Sequence, residues 1–195
     1  MHSIPSHPSS ARALAALAAS LALAAMACQI DVGGPEPPGD PIPISTEAAE
    51  ELEQVWESAI VAAAGSGRLT VLLSEAQVTS YLALRLENQE DPLLTDPQVY
   101  FRDGMIQIHG RTHQGAFAAD ILITVTPTLQ PDGTISFDVS SADFGPLPAP
   151  EALRQSVSSM LTEAFTSPLG SLATGLRITT LVVDGGEAAL VGELR

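Results

Sequence analysis

Lysine is absent from the chain of 195 residues, whose 8 cations are all arginine. They face 23 aspartates and glutamates, for a formal net charge of −15. A chain this acidic lacks the basic surface that neutralises nucleic-acid phosphates. It equally lacks a basic face for anionic lipid headgroups. There is 1 cysteine, so no disulfide forms within the chain. Aromatic residues make up only 4% while hydrophobic residues reach 45%, so the core must be built from Ala, Leu, Ile and Val. Also missing are a G-x-S-x-G elbow, an H-E-x-x-H pair, a phosphate-binding glycine loop and any solenoid-type repeat. The length suits one domain.

What is present begins with an address. The run ALAALAASLALAAMA, Ala13 to Ala27, carries no charge and follows the single cation Arg12. It is shorter than the roughly 20 residues of a membrane span and has the length and small-residue ending of a signal h-region. Residues 1–27 read as a signal peptide. Cys28 ends the run, where a bacterial lipoprotein carries its acylated residue; plain secretion and an uncleaved anchor are the alternatives. Residues 28–44 read as a lipidated cysteine and a Pro/Gly-rich linker. Fully extended, sixteen residues of such a linker reach about 50 Å at roughly 3.1 Å each.

Residues 45–195 read as a single α+β domain. Ser45 is the expected N-cap of a helix carrying Leu52, Val55, Trp56, Ala59, Ile60 and Ala63 at helical spacing, stopped by Gly65 and Gly67. A short strand, 68–73, leads to Ser74 and Gln77, a capping box opening a second helix with Val78, Tyr81, Leu82 and Leu86. Four strands follow as a meander. Their signals are the Asp103-Gly104 hairpin, a break near Gly110, alternation from Phe117 to Thr126, a turn at Pro131-Asp132-Gly133, and Ile135, Phe137 and Val139. GPLPAP from Gly145 breaks the sheet, and a third helix is expected from Glu151 with Leu153, Val157 and Leu161 in its apolar stripe. Two closing strands turn at Asp184-Gly185-Gly186. The fold expected is a curved antiparallel sheet of about six to seven strands packed against amphipathic helices.

His109 and His113 stand four apart, but on strands that spacing separates them by about 13 Å at a rise of about 3.3 Å. They read as exposed hairpin histidines, and no metal or other cofactor is expected. The glutamates at 47, 50, 51 and 53 read as a solvated helix edge.

Three stretches resemble a known group. LTVLLSEAQVTSYLALRL from Leu69, DPQVYFRDGMIQIHG from Asp96 and DGTISFDVSSADFGPLPAPEALRQSVSSML from Asp132 resemble, in order and spacing, YpmS-like and LmeA-like envelope proteins. The resemblance implies a TULIP-like fold, a long helix cradled by a twisted sheet. For LmeA-like members it also implies phospholipid binding.

The expectation is a non-catalytic lipoprotein tethered to the outer face of the cytoplasmic membrane. Its partner would be a lipid or other long apolar ligand, with no nucleic acid. The expected groove comprises Leu82 and Leu86 on the second helix, Ile106, Ile108, Ile121, Ile123 and Phe137 on the sheet, and Leu153, Val157 and Leu161 on the third helix. A structural or protein-interaction module with a closed core is the alternative, and a hydrolase is a third.

Overall fold

The computed structural model describes residues 30–31, 33–90, 92, 94–114, 117–144, 147–148, 155, 158–159 and 176–194. Cys28 and the signal segment, like Leu153, Val157 and Leu161, lie outside the described residues.

Helix α1, Thr46–Ser66, starts where the Ser45 hydroxyl accepts the Ala48 N–H at 3.1 Å. It ends at Gly67, whose φ of 73° lets its N–H reach the Ala63 carbonyl. Its stripe of Ala49, Leu52, Trp56, Ala59 and Ala63 is buried. Strand β2, Arg68–Ser74, follows, burying Leu69, Val71 and Leu73 in strict alternation. Helix α2, Glu75–Glu87, opens on the expected capping box, with both reciprocal bonds between Ser74 and Gln77 formed.

The meander is β3 (Thr95–Arg102), β4 (Met105–Gln114), β5 (Phe117–Leu129) and β6 (Ile135–Phe144), neighbours in that order. Asp103 and Gly104 both adopt positive φ, 52° and 76°, as a tight two-residue hairpin requires. The break expected near Gly110 is corrected: β4 runs through it, in register with β5 from Ile106 to Gln114. Glycine is needed there for close approach, since a Cβ would strike the Leu94 side chain and the Thr95 carbonyl. Likewise the proline segment does not simply end the sheet. Leu147–Pro148 pair with Phe144 and Asp143 as a two-residue β7. Of the third helix, Gln155, Ser158 and Ser159 are described and helical, and the Ser158 hydroxyl donates to the Phe137 carbonyl at 3.0 Å.

The chain is α+β, and its strands divide between two sheets. The closing strands β8 (Leu176–Asp184) and β9 (Glu187–Leu194) pair with each other, and β9 pairs with β2, giving the order β2-β9-β8. The outer edge of β3 is closed to β2 because α2 occupies it. The Thr79 hydroxyl accepts the Val99 N–H at 3.0 Å and Glu75 Oε1 accepts the Phe101 N–H at 2.7 Å. A strand edge is thus satisfied by helix side chains instead of another strand. The two sheets meet at their turns: Gly104 N–H donates to Val183, Gly186 N–H to Phe101 and Ile178 N–H to Gly133.

The proline-rich segment, irregular over residues 33–45 with a bend at 38–40, is not free. Ile30–Asp31 form β1, parallel to β5 at Phe117 and Ala118. The Gly33 carbonyl accepts the Asp120 N–H, Ile42 exchanges two hydrogen bonds with the Gln98 amide, and Ser45 N–H donates to Ser80 Oγ. Residues 33–45 therefore form a strap across the outer face of the meander. The reach of a free spacer does not apply to them.

Candidate functional site

Register decides which side chains share a face. Phe101, Ile106, Val125 and Val139 form one row across β3 to β6, and Val99, Ile108, Ile123 and Ala142 form the next. Ile121 lies opposite Gly110, and Phe137 opposite Pro127. Of the expected groove residues, Ile106, Ile108, Ile121, Ile123 and Phe137 therefore line one buried face of one sheet. Leu82 and Leu86 are half-buried and pack against the same cluster. The residues described here are brought together into one apolar body.

The second wall was missed by the sequence reading. It consists of Leu73, Leu181, Val183, Ala188 and Leu190 from the smaller sheet, which close on Phe101, Ile106 and Phe137. The alternation in LRITTLVVD and EAALVGEL marked these as strands. Their partner β2 lies over a hundred residues upstream, and no local signal reports that pairing. The seam between the walls holds a cavity of about 10 Å³, at the lower limit for one water molecule. Among the described residues the walls are in contact.

A second, open cleft of about 280 Å³ lies between α1 and α2, lined by Thr46, Ala49, Glu50, Glu53, Tyr81, Leu84, Arg85 and Asn88. Arg85 lies over the Tyr81 ring, 5.9 Å from its centre, and donates to the Tyr81 hydroxyl at 3.1 Å.

The outer face of the meander carries polar residues, yet Tyr100 and His109 on it are only 2% and 4% exposed. The strap covers them: the Tyr100 hydroxyl donates to the Asp40 carbonyl, and the Pro35 carbonyl faces His109. The exposed hairpin histidine expected at position 109 is thereby corrected. Burial lowers the His109 pKa below 6.5, opposed by the Pro35 carbonyl. That approach falls short of hydrogen-bond geometry, and neither ring nitrogen has a partner. Tyr100 has its pKa raised, first by burial and then by the Glu75 carboxylate. Among the described residues, no three His, Cys, Asp or Glu side chains converge as metal ligands.

The model of one protein family, LmeA-like phospholipid-binding, matches residues 40–193. The chain belongs to that family. Of the two groups that the sequence resembles, LmeA-like is the one supported. The LmeA-like match begins inside the strap and runs through β9, so it takes in both walls of the seam. No curated protein matches the chain.

Proposed function

We propose that this LmeA-like protein is an exported lipoprotein, tethered through Cys28 to the outer face of the cytoplasmic membrane, that binds phospholipid without making or breaking a bond. The observation that carries the reading is the family match over a domain with two facing apolar walls. Acyl chains enter by parting the seam at Ile106, Phe137, Leu181 and Leu190, with Ile108, Ile121 and Ile123 behind. Leu82 and Leu86 flank the same apolar body from α2. Apolar-walled clefts are the usual seats of such ligands. The lipid anchor supplies membrane residence that an acidic surface does not. Native mass spectrometry of the mature protein, with extraction of co-purified lipid, tests the reading. Bound phospholipid is the expected result. A folded protein that carries none and takes none from vesicles sinks it.

One observation favours a second reading. The seam, as it stands, is nearly filled, which suits a packed envelope module that binds a protein and not a lipid. A Leu181→Trp variant separates the two. Overpacking costs some stability under either reading, but in a still-folded variant it obstructs lipid uptake under the first and leaves protein binding intact under the second.

A further inference from the structure

His109 is buried on the outer face of the meander, beneath the strap. Its ring meets Tyr100 edge-on, with centroids 5.6 Å apart and planes at 88°. Gln98 and Leu122 flank it in register on β3 and β5, held by continuous ladders. Above it, the strap is held by scattered bonds at Gly33, Asp40, Ile42 and Ser45, and most of its residues are exposed.

We propose that the strap is an acid-released latch: a proton on the buried His109 ring is accommodated by lifting residues 33–45 off the outer face. A charged imidazolium is costly in a site closed to water when the one acceptor facing it, the Pro35 carbonyl, falls short of hydrogen-bond geometry. The charged and titratable groups on the surrounding elements do not relieve it. Arg111, on the same strand, is cationic and paired with Asp120 of β5 at 3.1 Å. On β3, Tyr100 is held neutral by burial, and Arg102 lies over the Tyr100 ring while pairing with Glu75. On the strap itself, Glu36 and Asp40 are exposed, and neither makes a hydrogen bond to the ring. Opening the strap gives the proton water, at the loss of a few hydrogen bonds.

The sign follows from linkage. The ring's pKa is depressed with the strap closed and returns toward 6.5 with it open. Closure is therefore fully favoured above 6.5, and it weakens as pH falls from 6.5 through the depressed value.

Hydrogen exchange of the mature protein between pH 7.5 and 5 tests it, with rates corrected for intrinsic exchange. The N–H groups of Ile42, Ser45 and Asp120 bond to or from the strap and report its opening. Their opening constants should rise by up to about tenfold per pH unit below 6.5 until the closed-state pKa is passed. Val99 N–H, bonded to Thr79, should stay protected. His109→Phe should flatten the strap's response. Flat exchange in the wild-type protein overturns the latch, and so does an unchanged slope in the Phe variant. If that variant does not fold, NMR titration of the wild-type ring decides, since the ring must gain its proton over the same pH range in which the strap is lost.

Discussion

At the scale of single residues, the polar side chains of α2 matter most where they meet a strand edge. Thr79 is fully buried and its hydroxyl accepts the Val99 N–H. Thr79→Val keeps the shape and removes the acceptor, leaving a buried donor unsatisfied. Such a group costs about 1–3 kcal/mol. Urea unfolding should show that loss, while Thr79→Ser should recover most of it. Equal stability of the Val variant and the wild type would mean that β3 finds another acceptor. Neither this contact nor the burial of His109 was legible in the sequence. Both depend on what crosses a strand from elsewhere in the chain, twenty residues away for Thr79 and over seventy for Pro35. Ser74 and Gln77 were legible because a capping box is complete within four residues.

At the scale of elements, local period located the helices and long strands, and long-range pairing decided how they assemble. Residues 68–73 read as a short strand, but nothing local says that their partner in the fold is β9. That pairing creates a seam and leaves an outer row of Leu72, Ala189 and Val182, in register across three strands. Leu72 and Val182 are each 52% exposed. Replacing both with Thr should change stability by no more than about 0.5 kcal/mol for each site. Leu190→Ala, on the opposite face of the same sheet and 1% exposed, should cost about 2–5 kcal/mol. Urea midpoints at constant slope distinguish the two cases, and similar losses from both faces would mean that the outer row is covered in solution. The buried face of the meander was legible for a simple reason. Ile106, Ile108, Ile121 and Ile123 alternate on strands joined by short turns, so period and neighbourhood coincide. The smaller sheet's wall was not legible, because its neighbourhood is set by closure of the whole chain.

At the scale of the molecule, the proposed function has charge and tether divide the work of reaching a membrane. Residues 1–27 contain Arg12 and no other charged side chain, so their removal as a signal, as proposed, leaves a chain carrying 7 − 23 = −16. An acidic body is repelled by anionic headgroups, and the repulsion reaches about 30 Å at 0.01 M salt but only about 8 Å at 0.15 M. Cys28→Ser should therefore move the exported protein to the soluble fraction or leave it uncleaved. Processed, membrane-bound mutant protein would contradict anchoring through that thiol. The soluble variant then permits a sharper measurement. Proteins that reach anionic bilayers through basic patches lose binding as salt rises. This one should do the opposite, because screening removes a repulsion while the apolar seam is indifferent to salt. Co-sedimentation with phosphatidylglycerol vesicles at the two salt concentrations reads the sign directly. A fall in binding with salt would place a cationic contact surface around the seven arginines of the mature chain and make the tether dispensable.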